Sequence, residues 1–380
     1  MGGHEVWEEE VNWQQRSRET WLKNGDRNSQ YFHSRASSRR AKTNILGLFD
    51  DTNARKDDRE SIIRVVENYF SDILRSNQPS ESDYALVLDT VQAPLSPSSS
   101  RFLDAMFVAV DIRRAVFDMA LSKSPCPDGL PALFYQKFCH MVGSQVTKAC
   151  LGVLNDDQYL DEVNNTLITL IPKVKNEDRI TYFHPISLCN VTYKIVAKAL
   201  ANRLRGVLHE VISKTQSAFI HGRLIFDNAI IGFECMHALR RRKNGHKRAL
   251  TLKLDMSKAY NRVEWSFLIG MMTRLGFSVS WIGRIMRCVQ SVSFSFLINR
   301  ETCGLLKPSR ASGQKVNYQK SALCVSKRVP RRRMVLLADT IGVKLVDCHV
   351  KYLGLPSFTG RNKWELFSSI KDIVWNRLKG

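Results

Sequence analysis

Between Pro185 and Pro308 the sequence carries no proline. Proline removes a backbone donor and clashes with the preceding turn, so it bounds helices and central strands. Its absence here permits long uninterrupted elements, and the apolar spacing says which. Over residues 188–212, Val191, Ile195, Val196, Leu200, Leu204, Val207, Leu208 and Val211 form one helical stripe. Lys194, Lys198, Asn202 and Arg205 form another, which reads either as a solvated face or as a nucleic-acid contact. A second helix is expected over about 227–242, ending in Arg240-Arg-Arg-Lys243, and further helices at about 265–275 and 279–290. Residues 249–255 alternate as a strand that closes on the carboxylate of Asp255, and 292–299 alternate again.

Outside that stretch the pattern is more broken. Residues 59–75 space Ile62, Ile63, Val66, Phe70, Ile73 and Leu74 as a helix. A Ser/Pro-rich run from about Asn77 to Ser100 reads as a surface loop. Asp111 is expected to N-cap a short helix over 111–121, and Lys123-Ser-Pro-Cys-Pro-Asp-Gly129 must turn. Residues 166–172 read as a strand ending at Pro172, and 363–378 as a closing helix. Residues 1–45 interleave Trp7, Trp13, Trp21, Tyr31 and Phe32 with Arg16, Arg18, Lys23, Arg27, Arg35, Arg39, Arg40 and Lys42. That mixture suits an arm that stacks on bases and grips phosphates, and equally an amphipathic helix whose tryptophans pack on the body.

Charge narrows the partners. Lys and Arg number 57 against 36 Asp and Glu, a net +21. Each cation that neutralises a phosphate releases a condensed counterion, so such an excess favours a nucleic acid over a membrane surface. Nine cysteines carry no CxxC pair and no Cys/His ladder, which points away from a zinc module and a secreted disulfide framework. The opening MGGHEVWEEEVNWQQ has no apolar core of a signal peptide, and no apolar run approaches a membrane span. The expectation is an intracellular protein, nuclear or cytoplasmic.

A run of motifs is more specific. Leu170-Ile-Pro-Lys173, His184-Pro-Ile-Ser-Leu-Cys-Asn190, Leu200-Ala-Asn-Arg-Leu204, Gln216-Ser-Ala-Phe-Ile220, Gly222-Arg223, Asp227-Asn228 and Leu252-Lys-Leu-Asp-Met-Ser-Lys-Ala-Tyr260 follow in order. Trp21-Leu-Lys-Asn-Gly-Asp26 with Tyr31-Phe-His33 precedes them, and Tyr352-Leu-Gly-Leu-Pro356 follows. In this register the chain resembles the reverse transcriptases of plant LINE-type (non-LTR) retrotransposons, over most of 20–380. The resemblance implies an α+β right-hand polymerase fold with fingers, a partial palm and a thumb-like helical C-terminus. It divides the chain into a basic, aromatic linker (1–100), fingers with the first part of the palm (101–310) and a post-palm segment (311–380).

The resemblance also implies the chemistry: an RNA-directed DNA polymerase that uses an RNA template, a DNA primer and deoxynucleoside triphosphates. Two Mg²⁺ ions held by palm carboxylates stabilise the attacking and leaving oxygens. By the motifs, Asp255 is the first metal-binding, catalytic carboxylate; an Asp capping the next helix is the alternative reading of the position alone. Lys173, His184, Met256, Lys258, Ala259 and Tyr260 would bind the nucleotide, Tyr260 lying under the sugar. Gln216 and Arg223 would line the template path.

Four departures from the family pattern follow. His184 stands where the family has Arg and cannot give a permanent bidentate grip. Asn261 replaces an Asp, and Cys126 replaces a Gly. After Cys303-Gly-Leu-Leu-Lys-Pro-Ser-Arg310 the sequence jumps to Ala311-Ser-Gly-Gln-Lys-Val-Asn317, omitting the hairpin with paired aspartates; the Asp-Asp pairs at 50–51 and 57–58 lie upstream of the palm, and none follows Asp255. Ala338-Asp339-Thr340 imitates that motif in the wrong place and reads as helix or loop. The palm strand at Asp255 is therefore expected to lack a partner and to expose an apolar face. Three outcomes stay open: a polymerase completed by an alternative carboxylate or a second copy, a non-catalytic RNA- or DNA-binding remnant, and a decayed reading frame. The charge excess predicts that affinity for RNA falls linearly in log–log against salt; anisotropy titrations with a flat salt response would exclude a phosphate-driven interface.

Overall fold

The computed structural model describes residues 44–75, 80–91, 95–121, 128–173, 178–218, 220–241, 249–257, 263–308, 315–325, 329–346, 351–352 and 355–356. In chain order these form β1 (Leu48–Phe49), β2 (Arg55–Lys56), α1 (Arg59–Leu74), α2 (Glu81–Leu88), α3 (Pro97–Asp104), α4 (Ala109–Phe117), α5 (Ala132–Lys137), α6 (Cys139–Asn155), β3 (Asn165–Pro172) and β4 (Phe183–Leu188). There follow α7 (Val191–Arg205), α8 (Leu208–Val211), α9 (Ile225–Arg241), β5 (Leu250–Lys253), β6 (Met256–Ser257), α10 (Trp265–Arg274), α11 (Val279–Gln290), β7 (Ser293–Ile298) and β8 (Glu301–Leu306). The last are β9 (Lys315–Val316), β10 (Ala322–Val325), α12 (Arg331–Ile341), β11 (Lys344–Leu345), β12 (Lys351–Tyr352) and β13 (Leu355–Pro356). Helices and sheets are mixed, and the described residues fall into two units. One runs to Glu210 and resumes over Asn261–Gly313; the other joins Val211–Tyr260 to Gln314–Gly380.

The first unit is organised by a helix laid on a sheet. Asp58 caps α1 by accepting from Ser61 N–H at 2.9 Å, and the helix buries Ile62, Val66, Phe70, Ile73 and Leu74 along one face. That face meets the sheet β4-β3-β7-β8, in which β3 runs antiparallel to β4 and parallel to β7. Ile168 and Leu170 from β3, Phe183 from β4, and Phe296 and Ile298 from β7 complete the cluster. The rings of Phe70 and Phe296 lie 5.1 Å apart. β7 and β8 join through Asn299 and Arg300, both at positive φ (48° and 79°), a two-residue hairpin turn matched to strand twist. The Asn299 amide accepts from Ile45 N–H and donates to Ile45 C=O, both at 2.8 Å, fastening the turn to the chain leading into β1.

Two half-buried arginines gather the helices of this unit. Arg203 on α7 donates to the carbonyls of Leu103, Ala105 and Met106 and to the Asp111 carboxylate at 2.9 Å, with its guanidinium over the Phe107 ring. Arg284 on α11 donates to Leu154 O at 3.0 Å and to Leu103 O at 3.3 Å. Carbonyls left over at the ends of α3 and α6 thus receive fixed planar donors.

In the second unit β10 pairs antiparallel with β5 and parallel with β11, giving the order β11-β10-β5. α12 covers this sheet through Leu323, Ala338 and Val343, and ends at Gly342 in the left-handed conformation (φ 73°). Leu250, Leu252 and Leu254, spaced two apart on one face of the β5 strand, stay 52%, 36% and 51% exposed.

Several expectations change. The Ser/Pro-rich run is no continuous loop: it contains α2, and α3 begins at Pro97. Ser96 caps α3 and Pro97 sits in its first turn, a helix start that composition alone disguises. Asp111 does not cap its helix. α4 starts at Ala109, and Asp111 lies one turn in, accepting from Val108 N–H at 3.1 Å. The long helix expected over 188–212 stops at Arg205 and resumes as α8 after Gly206. The strand before Asp255 is not partnerless: β10, from beyond Arg310, pairs with it residue for residue. Its apolar face is nonetheless exposed as expected. The helix expected at 363–378, the 1–43 arm, Cys126 and Asn261 lie outside the described residues.

Among the described residues the cysteines carry free thiols, and burial pushes Cys150 up to about 12. No described helix is long and apolar enough to cross a membrane.

Arg203→Met should cost about 2 kcal/mol, because it removes the donor shared by the Asp111 carboxylate and several carbonyls; urea unfolding checks it, and Arg203→Lys should restore little. In the β1–β2 turn, Thr52 Oγ1, Ala54 N–H and Lys56 hold the Asp50 carboxyl down from 3.8 to about 2. A depressed carboxyl stabilises the turn above its ordinary range and stops doing so as pH falls through the lowered value. Amide exchange at Thr52 and Ala54, corrected for intrinsic rates, should therefore accelerate between pH 3.8 and about 2.

Candidate functional site

The expected site residues divide between the two units. In the first, β3 and β4 form an antiparallel pair with Ile171 opposite His184 and Pro172 opposite Phe183. Side chains alternate across a strand, so burying Ile168, Leu170 and Phe183 against α1 turns His184 and Lys173 to the other face. Both are exposed. Lys173 Nζ donates to Thr181 O at 3.4 Å, and its backbone N–H bonds Tyr182 O at 3.0 Å. A cation and an imidazole thus share one solvent-facing side of a hairpin rooted in the core.

In the second unit Asp255 follows β5 and is half-buried. Its C=O accepts from Asn317 N–H at 2.7 Å, and its N–H donates to Ser321 Oγ at 3.0 Å. Ser321 Oγ donates in turn to Asn317 O at 2.8 Å, closing a ring of three bonds around the strand end. Ser321 is fully buried. Beyond the ring the two chains pair again, Met256 opposite Val316 and Ser257 opposite Lys315. Sequence reasoning did not single out Ser321; the signal available was a serine four residues after the turn-former Asn317, just ahead of an apolar strand.

Gln216 and Arg223 lie on the loop between α8 and α9. Arg223 Nη1 donates to the carbonyls of Ser213 at 2.5 Å and Gln216 at 2.7 Å, and Nη2 to that of Ile212 at 3.2 Å. The Gln216 side chain is exposed. Lys258, Ala259 and Tyr260 lie outside the described residues, and of Met256 only the backbone is described.

Asp339 is an exposed residue of α12. A further Asp-Asp pair, Asp156-Asp157, lies upstream of Asp255 in the turn after α6, where Asp157 adopts a positive φ of 58° and pairs with Arg287. Two Mg²⁺ ions need several anionic oxygens at close range. Among the described residues no group of three or more His, Cys, Asp or Glu side chains is placed to hold a metal, so these donors do not fit a two-ion centre.

Ser321→Ala should cost roughly 1–3 kcal/mol by leaving the Asp255 N–H unbonded beside a buried site. Hydrogen exchange at the Asp255 amide measures it directly; an unchanged rate would show the ring to be dispensable.

The chain is 28% identical over 284 residues to the "Transposon TX1 uncharacterized 149 kDa protein" of Xenopus laevis, an alignment covering 75% of this chain. The same alignment covers 21% of that protein, so the chain spans about a fifth of its relative's length. Residues 171–306, which hold Lys173, His184, Gln216, Arg223 and Asp255, match the family model of reverse transcriptase (RNA-dependent DNA polymerase).

Proposed function

We propose that this chain derives from the reverse transcriptase of a LINE-type (non-LTR) retrotransposon of plant type, and that it binds template, primer and nucleotide without completing polymerisation. The observation that carries the reading is the position of the matched segment. It holds every described residue for which the motifs imply a role, and it ends four residues before the jump at Arg310/Ala311. The transposon relative supports the mobile-element origin. On this reading the chain keeps the fingers and the first palm strand of a right-hand polymerase, with 311–380 as the post-palm segment.

Each residue then has a bounded task. Lys173, exposed at the end of β3, neutralises part of the triphosphate, and His184 beside it contributes a weaker donor in place of the family's arginine. Met256, Lys258, Ala259 and Tyr260 follow the nucleotide. Gln216 and Arg223 serve the template strand. Asp255 would supply one carboxylate toward a pair of divalent ions, whose chemistry would be to stabilise the attacking and leaving oxygens. One carboxylate does not assemble that pair, and loss of ligands from a shared cluster removes nearly all activity.

Primer extension tests the reading. With Mg²⁺ or Mn²⁺, an RNA template and a DNA primer, the expected result is retained binding and no incorporation. Incorporation that disappears in Asp255→Ala would overturn the proposed incompleteness; absence of RNA binding at moderate salt would overturn the remnant itself.

A further inference from the structure

The loop from Ile212 to Arg223 is built around one cation. A guanidinium carries five N–H donors in a rigid planar fork, and here three of them go to the loop's own backbone, at Ile212, Ser213 and Gln216. Gly222, at φ 79°, reverses the chain so that Arg223 returns to the segment it holds. On the other side, buried Ser217 donates from Oγ to Asn228 Oδ1 at 2.9 Å, fastening the loop to α9. Between these anchors Gln216 contributes only its backbone: its N–H bonds Ser213 O at 3.1 Å and its C=O receives Arg223. Its amide side chain is left facing solvent.

We propose that Arg223 is a positioning residue, which holds the 212–217 loop in one shape so that the exposed Gln216 amide meets the template, and which makes no phosphate contact of its own. This rests on the reading of the Gln216 loop as part of the template path and reassigns Arg223 within it. The two roles differ in chemistry. A phosphate contact needs charge, which lysine also supplies; bridging three carbonyls at once needs the fork, which an ammonium lacks.

The test measures binding of a fluorescent DNA primer annealed to an RNA template with a single-stranded overhang, titrated across salt concentrations. Gln216→Ala should weaken binding by about fivefold, the worth of one hydrogen bond. Arg223→Lys and Arg223→Gln should weaken it equally, leave the log–log salt slope unchanged, and add nothing in the Gln216→Ala background. A phosphate-contacting arginine would give the opposite pattern: Lys near wild type, and Gln with a slope smaller by about one. That pattern, or additive losses, would overturn the positioning role. Should the Arg223 variants fail to fold, Ser217→Ala loosens the same loop without touching the cation; wild-type affinity there would overturn the proposal too. Wild-type affinity in Gln216→Ala would instead overturn the template reading of the loop, a distinct result.

Discussion

The antiparallel pairing of Leu250–Lys253 with Ala322–Val325 is the constraint on which the second unit depends. It joins two stretches of chain that the sequence holds far apart. Once the four residues of each strand align, Asn317 and Ser321 fall opposite Asp255, and three hydrogen bonds close around it. The carboxylate therefore sits on a backbone whose direction is fixed, although the strands on either side are short. α12 then has a sheet to cover, and it buries Leu323 while the leucines of the outermost strand remain bare. A sheet edge with exposed leucines favours association.

Much of the first unit was legible in the sequence, because it obeys simple periods. The spacing of Ile62, Val66, Phe70 and Ile73 gives α1, and the alternation through Ile168 and Leu170 gives β3. What escaped was governed by exceptions to composition. Ser96-Pro97 reads as loop chemistry by residue type and is a helix start by position. Gly206 interrupts an apolar stripe that continues unbroken on paper. β8 was hidden because Cys303-Gly-Leu-Leu has no alternation; its register is set by the Asn299-Arg300 turn instead.

The candidate site was legible in a different way. The motifs named residue types and an order, and the structure adds what each group is doing with its donors. Lys173 and His184 keep a shared exposed side that the alternation of β3 and β4 dictates. Arg223 looks from sequence like a free cation, yet its guanidinium is turned inward onto carbonyls. Ser321 could not be found by searching for charged or reactive groups, since its contribution is a hydroxyl that bridges two backbones. Such roles follow from three-dimensional closure and leave no periodic trace.

The parallel partnership of β3 with β7 sets a schedule for synthesis. Residues 165–169 find their inner neighbours only at 293–297, so the central sheet cannot assemble until most of the chain has left the ribosome. The β3–β4 hairpin and α1 emerge long before, with Phe70 lacking the ring of Phe296 that will cover it. The nascent chain thus carries an unfinished apolar surface through the translation of everything between them, and a chaperone would meet it there.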